Sequence, residues 1–346
     1  MARKKRIAIL TGGGDCPGLN AVIRAVVKKG LTYGYETVGI RNGWKGITEK
    51  HTMPLDERIA SDILLKGGTI LGSSRFNPYK SEKNIEKIKK NFKNLRLFAL
   101  VAIGGEDTLG VANKLYLKEH LPIVGIPKTI DNDLSVTDFT IGFDTAINVA
   151  TECIDRLRTT AESHNRIIVT EVMGRHAGWI AAYAGIAGGA DIILIPEAPI
   201  DIKEVVKSLK AGREKGKRFG LVVVAEGAKF KEGQEVLKHQ KLDAFGHVYL
   251  GGIAQNLAEK IEEMTGFETR STVFGHIQRG GSPTAMDRVL GTRYGVKGAE
   301  LVHQRKFGYM PCLSGNKIKT VKLQRAVAKI KTVDKELYNI TKVFSD

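Results

Sequence analysis

A short polar loop after an apolar, strand-like run carries the clearest chemical signal in the sequence. Residues Pro127–Asp133 read Pro-Lys-Thr-Ile-Asp-Asn-Asp and place a lysine, a hydroxyl and two carboxylates on one loop. One aspartate can act as a general base and the other can bind a metal ion, while the lysine binds a phosphate. Packing does not account for so polar a loop directly after a buried strand, so its composition favours phosphoryl-transfer chemistry.

A second candidate segment, Gly104-Gly-Glu-Asp-Thr108, also follows a strand-like run. Two carboxylates and a hydroxyl after a glycine pair suit Mg²⁺ and phosphate, because Mg²⁺ takes oxygen ligands and shares them with substrate phosphates. The same residues are typical of an ordinary helix start, where acidic side chains interact favourably with the helix dipole. Taken alone, this segment slightly favours the structural interpretation.

Glycines dominate a third candidate, Thr11–Asn20, which reads Thr-Gly-Gly-Gly-Asp-Cys-Pro-Gly-Leu-Asn. Glycines let backbone N–H groups approach an anion closely, and a helix that begins near Asn20 would point its positive end toward the loop. The spacing matches neither the GxGxxG fingerprint nor the GxxxxGK[ST] phosphate loop. By itself the segment is equally typical of a strand-to-helix turn without a ligand.

Arginines and histidines occur in two further segments. Met173-Gly-Arg175 follows a strand-like run, and Thr269–Gly281 contains two arginines and a histidine. Arginine forks bind phosphate oxygens through two parallel hydrogen bonds, which favours a phosphorylated substrate. His176, next to Arg175, is predicted to be structural.

Alternating apolar runs and amphipathic stretches must position these residues, and the alternation predicts α/β layering with mainly parallel sheets. The predicted strands are 7–10, 97–103, 123–126, 167–172, 191–195 and 221–225, and the predicted helices include 20–29, 85–92, 109–118, 145–159 and 202–215. Parallel sheets bind ligands at the carboxyl ends of their strands, so the first three candidate loops are expected to converge on one crevice. The sequence has no long linker, which favours two α/β domains in close contact, each a sheet sandwiched by helices.

Composition excludes several classes of function. Of the 346 residues, 42% are hydrophobic and 26% charged, as in ordinary globular proteins. The longest apolar runs are too short for a membrane span or a signal peptide, so we expect a cytoplasmic protein without a membrane partner. The formal charge of +17 is dispersed over the chain and comes without a nucleic-acid-binding motif, which favours a small polyanionic substrate over nucleic acid. The three cysteines are far apart and predict neither disulfides nor a metal site.

Together the motifs resemble the phosphofructokinase family. The matching segments occur in the family's order over roughly residues 5–305: Gly13–Asn20, Gly104-Gly105 with its acidic follower, Thr129–Asp133, Glu171–Arg175, Pro196-Glu197 and Gly275–Gly281. The resemblance implies a phosphofructokinase-like fold and transfer of a phosphoryl group to the 1-hydroxyl of fructose 6-phosphate with Mg²⁺. It also implies a donor and magnesium domain at 1–142 plus 255–305 and a fructose 6-phosphate domain at 143–254 plus 306–346.

Catalytic and metal-binding roles follow from the resemblance by position. Asp131 resembles the general base that takes the proton of the sugar's 1-hydroxyl, and Thr129 resembles the residue that holds the transferring phosphoryl group. Asp133 and Glu106 occupy the magnesium positions. The family more often has aspartate at the place of Glu106, so direct ligation is better supported at Asp133.

Substrate contacts are implied in the same way. The residues that resemble fructose 6-phosphate contacts, besides Thr129 and Asp131, are Met173, Gly174, Arg175, Glu226, His276 and Arg279, of which Arg175 also belongs to the catalytic set. Arg166 and Arg270 resemble arginines that a neighbouring subunit contributes to this site. The resemblance therefore implies a homo-oligomer with shared active sites, either a dimer or a tetramer.

Two positions bear on the phosphoryl donor. In ATP-using members the second residue after the glycine pair is glycine, whereas here it is Asp107; the common ATP-using form also has glycine at the place of Lys128. Asp107 would fill space for the nucleotide and repel a longer polyphosphate, while Lys128 would supply a cation to the smaller pyrophosphate. This pair resembles the pyrophosphate-dependent branch of the family. The donor-binding residues implied are Gly14, Arg75, Asp107, Thr108 and Lys128.

Alternatives to a pyrophosphate-dependent enzyme remain. Some ATP-using members also carry lysine at the place of Lys128, so an ATP-dependent enzyme is the second hypothesis. A non-catalytic sugar-phosphate sensor on the same fold is a third, although such a protein could lose Asp131, Asp133 and Arg175, which are all present. A nicotinamide oxidoreductase is disfavoured because the glycine spacing is wrong.

Overall fold

A computed structural model describes residues 4–231 and 251–343 of the chain. These residues form two compact units, of which the first comprises 4–145 and 279–329 and the second comprises 146–231, 251–278 and 330–343. None of the helices in the described ranges combines the length and apolar character needed to cross a bilayer.

Helices and strands alternate over most of the described chain. The strands are β1 (Arg6–Thr11), β2 (Glu36–Ile40), β3 (Thr52–Leu55), β4 (Leu97–Gly104), β5 (Ile123–Pro127), β6 (Ile167–Val172), β7 (Ile192–Leu194), β8 (Gly220–Ala225), β9 (Thr269–Val273), β10 (Tyr309–Ser314) and β11 (Lys317–Lys322). The helices are α1 (Leu19–Thr32), α2 (Gly43–Glu49), α3 (Glu57–Ser61), α4 (Glu82–Asn94), α5 (Glu106–Glu119), α6 (Phe143–His164), α7 (Trp179–Ala187), α8 (Ile202–Glu214), α9 (Ile253–Thr265), α10 (Ala285–His303), α11 (Leu323–Ala326) and α12 (Lys335–Val343).

The first unit contains a sheet of order β3-β2-β1-β4-β5, in which only the edge strand β3 is antiparallel. Strand β4 has no polar residue, and residues 7–10 of β1 are apolar and fully buried. Such continuous apolar runs are expected where helices cover both faces of a parallel sheet. The carboxyl ends of β1, β4 and β5 therefore lie side by side and place the loops 12–18 and 128–142 and the start of α5 along one edge of this sheet.

The second unit contains a parallel sheet of order β7-β8-β6-β9. Helix α8 shows how the sequence builds this unit, because its buried residues recur at helical spacing: Ile202, Val205, Val206 and Leu209. Asp201 caps this helix by accepting a hydrogen bond from the Lys203 N–H at 3.0 Å. The predicted α/β class with mainly parallel sheets is confirmed.

The boundaries of the two units differ from the predicted division. Residues 255–278 belong to the second unit, because α9 packs on β6 and β9. Residues 306–329 belong to the first, because the β10–β11 hairpin packs on β5 and α11 packs on α5. The parts of the predicted domains at 1–3, 232–250 and 344–346 lie outside the described residues.

Candidate active site

The loop of residues 12–18 after β1, which we call the glycine loop, packs closely against the first turn of α5. Gly12 donates its N–H to the Ile103 carbonyl at 2.9 Å, and Thr108 lies beside it with only 2% of its surface exposed. A Cβ at Gly12 would lie 2.5 Å from Thr108 Oγ1, a distance that no real Cβ tolerates. Glycine is needed here because it lets two of the three predicted donor-binding segments come into direct contact.

Lys128 supplies a buried positive charge to this loop. Its Nζ donates to the Gly12 carbonyl at 3.0 Å and also to the Gly14 carbonyl, and the residue is 3% exposed. Burial, the largest cause, lowers the pKa of Lys128, because leaving water disfavours the charged form. The sequence predicted a cation for the donor phosphate; the structure places this cation on the carbonyl side of the glycine loop.

Arg279 contacts the same loop. Its Nη1 donates to the Asp15 carbonyl at 3.1 Å, and a Cβ on Gly14 would lie only 2.5 Å from that nitrogen. Arg279 belongs to the first unit, whereas the sequence grouped it with the fructose 6-phosphate contacts. A side chain at position 14 would therefore displace the flexible guanidinium of Arg279 from its place beside the loop.

Two serines that sequence reasoning missed also hold the glycine loop. Ser73 Oγ donates to the Gly13 carbonyl, and the Gly13 N–H donates to the Ser74 carbonyl at 3.3 Å. Arg75 follows directly and is exposed. The signal that could have found this segment is the run Gly72-Ser-Ser-Arg75, which places two hydroxyls and an arginine after a glycine.

The loop after β5 is held rigidly by its own polar residues. Asn132 is 2% exposed; its Nδ2 donates to the Asp138 carbonyl at 3.1 Å and its Oδ1 accepts from the Thr140 N–H at 3.1 Å. Thr140 Oγ1 also donates to the Thr129 carbonyl at 2.6 Å, and Thr129 Oγ1 accepts from the Asp131 N–H at 3.1 Å. These bonds fix the positions from which Asp131 and the hydroxyl of Thr129 can act.

Two carboxylates on this loop carry buried oxygens without a partner. Oδ1 of Asp131 and Oδ1 of Asp133 are both buried and accept no hydrogen bond from any described residue. Burial, followed by the negative charge of Asp131 and, more weakly, of Glu106, raises the pKa of Asp133 to about 7. A cation at these oxygens would remove the repulsion between the carboxylates and reverse that shift.

These carboxylates fit the coordination preferences of Mg²⁺. Within the described ranges, no three His, Cys, Asp or Glu side chains converge into a metal-binding cluster. Mg²⁺ rarely needs such a cluster, because it usually takes one or two protein carboxylates and fills its other positions with phosphate oxygens and water. Asp133 lies half-buried on the loop, and Glu106 is exposed in the first turn of α5, beside the half-buried Asp107.

The predicted sugar-phosphate residues of the second unit follow three neighbouring strands. Met173–Arg175 follow β6, Glu226 follows β8, and His276 lies in the turn after β9. Gln278, which is fully buried, joins two of these loops: its Oε1 accepts from the Met173 N–H at 3.3 Å and its Nε2 donates to the Gly275 carbonyl at 3.2 Å. The third loop, after β8, is joined to the loop after β6 because the Gly227 N–H donates to the Gly174 carbonyl at 3.1 Å.

Arg166 and Arg270 lie at the opposite end of this sheet. Arg166 directly precedes β6 and Arg270 is the second residue of β9; both pair with one oxygen of Glu268, at 2.7 Å and 2.6 Å respectively. The six residues of β6 separate Arg166 from Met173, so seven steps of extended chain, roughly 23 Å, lie between them. Within one chain, Arg166 and Met173 are therefore too far apart to contact the same phosphate group.

Comparison with known proteins places this chain among enzymes of phosphoryl transfer. Residues 6–302 match the model of the family described as Phosphofructokinase. A pyrophosphate–fructose 6-phosphate 1-phosphotransferase of Streptomyces coelicolor is 54% identical over 340 residues, which cover 98% of this chain and 99% of that protein. An ATP-dependent 6-phosphofructokinase of Corynebacterium efficiens is 49% identical over 333 residues, which cover 96% of each chain.

A solved structure shows the same fold. The pyrophosphate-dependent phosphofructokinase from Nitrosospira multiformis superposes with a TM-score of 0.83 at 21% identity, over 99% of this chain and 91% of that one. With the family match covering most of its length, the chain belongs to the phosphofructokinase family.

Proposed function

We propose that the protein transfers a phosphoryl group reversibly from pyrophosphate to the 1-hydroxyl of fructose 6-phosphate, giving fructose 1,6-bisphosphate and phosphate. The observation that carries the proposal is the pair of unpartnered buried carboxylate oxygens on Asp131 and Asp133, next to a glycine loop that holds a buried cation. General base, metal ligand and phosphate-binding loop are the parts that phosphoryl transfer requires.

Asp131 is the proposed base. Its free oxygen accepts the proton of the 1-hydroxyl as the sugar oxygen bonds to phosphorus and the bridging P–O bond of the donor breaks, with the electron pair leaving on phosphate. Thr129 and Arg175 orient the transferring group, and Asp133 with Glu106 would hold Mg²⁺, which when bound offsets the charge of the phosphates. Gly14 donates its N–H to the donor phosphate, and Arg75 binds donor and acceptor phosphates together.

Asp107 and Lys128 support pyrophosphate as the donor. Asp107 stands in the first turn of α5, next to Thr108, which touches the glycine loop. A carboxylate there repels a triphosphate and occupies space a nucleoside would need. Lys128 neutralises part of the charge of the smaller donor. Relatives of both donor types are similarly close to this chain, so these two residues, rather than overall identity, support the assignment.

Fructose 6-phosphate is bound in this proposal by the loops of the second unit, through Met173–Arg175, Glu226 and His276, with Arg279 as a further contact. The position of Arg166 and Arg270 at the opposite strand ends supports their contribution to the site of a neighbouring subunit. The functional unit is then a homo-oligomer, in which no chain has a complete sugar-phosphate site by itself.

A donor comparison tests the proposal. Purified protein is assayed with fructose 6-phosphate and Mg²⁺, with pyrophosphate or ATP at matched concentrations, in both directions. We expect strong turnover with pyrophosphate, little with ATP, and ready formation of pyrophosphate from fructose 1,6-bisphosphate and phosphate. A preference for ATP would establish the second candidate, an ATP-dependent 6-phosphofructokinase, which the Corynebacterium relative favours. The absence of turnover with either donor would refute the proposed function.

A further inference from the structure

The last part of the described chain packs against the start of α7, within the second unit. We name residues 330–343, which include α12, the C-terminal strap; they lie beyond residues 6–302, the part that matches the family model. Helix α12 packs on α7 and β7. Asp334 caps this helix, with its Oδ1 accepting the Leu337 N–H at 2.8 Å, so the strap is a folded element of the unit.

The strap binds the first residue of α7. Nε1 of Trp179 donates to the Lys331 carbonyl at 2.9 Å, and Nζ of Lys331 lies 5.0 Å from the centre of the Trp179 ring. Trp179 is 7% exposed, and the strap contacts its side chain at the point where this helix begins. A buried indole N–H needs an acceptor, and here the acceptor is a backbone carbonyl of the strap.

Glu197 joins the strap to the same place by a second route. Its Oε1 accepts the Val333 N–H at 2.8 Å, and its two oxygens accept the Gly178 N–H at 3.0 Å and 3.2 Å. Val333 is 8% exposed, and hydrogen bonds from backbone N–H groups to a charged carboxylate are stronger than neutral ones. One side chain thus ties the strap to the residue that precedes α7.

These contacts lie next to the loop that carries the proposed sugar-phosphate residues. Gly178 is three residues after Arg175, and the other end of the loop is held by the bonds from Met173 to Gln278 and from Gly227 to Gly174. The loop 173–178 is therefore fixed at its start by residues that follow the neighbouring strands β8 and β9, and at its end by Glu197, which also binds the strap.

We propose that the C-terminal strap, acting through Glu197, positions the loop 173–178 for fructose 6-phosphate. Glu197 is a positioning residue in this arrangement, since it holds Gly178 and touches no reacting atom. The inference rests on the proposed function, which assigns Met173–Arg175 to the sugar phosphate. It predicts coupling between sugar-phosphate binding and the strap, and such coupling must act in both directions.

Hydrogen exchange and kinetics test the coupling. In the full-length protein, fructose 6-phosphate is expected to slow exchange of the backbone N–H groups of residues 331–333, whereas pyrophosphate alone leaves them unchanged.

Glu197→Gln keeps the size of the side chain but removes its charge; we expect the KM for fructose 6-phosphate to rise about tenfold, the loss typical of one charge-assisted hydrogen bond. The KM for pyrophosphate and kcat should stay within about twofold, because the loss affects only binding of the sugar phosphate.

Glu336→Gln is the matched control, because it removes the same charge from an exposed residue of the strap. Acrylamide quenching of fluorescence gives a third measurement: of the two tryptophans, Trp44 is 1% exposed, so increased quenching in Glu197→Gln reports release of Trp179.

Two results would overturn the inference. One is unchanged exchange of residues 331–333 at saturating fructose 6-phosphate. The other is a folded Glu197→Gln protein whose kinetic constants match those of Glu336→Gln. If Glu197→Gln does not fold, the exchange experiment on the wild-type protein decides alone. Failure of the proposed function is distinguishable, since the wild-type protein would then not turn over fructose 6-phosphate at all.

Discussion

Lys128→Met separates the contribution of Lys128 to catalysis from its contribution to stability. Methionine has nearly the same length but neither charge nor hydrogen-bond donor. In the folded protein Nζ donates to the Gly12 and Gly14 carbonyls from a buried position. Losing such bonds costs about 1–3 kcal/mol each, while the cost of burying a cation, several kcal/mol, disappears. These opposing effects should leave the free energy of unfolding within about 2 kcal/mol of the wild-type value.

The effect on the donor should be larger. A Cβ built on Gly13 would lie 3.7 Å from Nζ of Lys128. For a donor phosphate oxygen that contacts the backbone at Gly13, we therefore take a distance of about 5 Å from the ammonium. At an effective dielectric constant of about 20, a unit charge at that distance contributes about 3 kcal/mol, which corresponds to a loss of about a hundredfold in kcat/KM for pyrophosphate.

The assay compares kcat/KM for pyrophosphate with urea unfolding of the same preparation. Lys118→Met, an exposed residue near the end of α5, is the control for the change in net charge. A Lys128→Met protein that unfolds normally and retains pyrophosphate activity within about threefold of the wild type would refute the reasoning, because the charge of Lys128 would then contribute little to stabilising the donor phosphates.

Three further substitutions test the proposed roles. Asp131→Asn should leave the fold intact, as judged by circular dichroism, but lower kcat by about two to four orders of magnitude, as expected when a general base is lost; near-normal turnover would remove it from the mechanism. Asp107→Gly should raise ATP use, and adding Lys128→Gly should raise it more while damaging pyrophosphate use; an unchanged ratio of kcat/KM for the two donors would contradict the assignment. Arg166→Ala mixed with Asp131→Asn should regain partial activity in hybrid oligomers, because one hybrid site carries neither lesion; no recovery after subunit exchange confirmed by mass spectrometry would count against shared sites.

Local patterns were sufficient to locate several elements. Strand β6 was predicted from its apolar run with the bounds the structure has, and β1, β4, β5 and β8 differ from their predicted bounds by a residue at one or both ends. Such strands are recognisable because burial on both faces favours a mostly apolar, β-branched sequence. The prediction missed β2, β3 and the β10–β11 hairpin: β3 has one buried residue and β11 has none, so neither has that signature.

The sequence by itself determined the class of fold, the family and the polar loops that follow the strands, because apolar periodicity and motif order are properties of neighbouring residues. Tertiary structure alone decided which distant residues meet. It placed Arg279 against Gly14, the hairpin of residues 309–322 on β5, and Val333 on Glu197. Each of these contacts joins segments that are more than a hundred residues apart. Their formation depends on how strands are ordered in a sheet and which helices cover it, and no local pattern encodes that order.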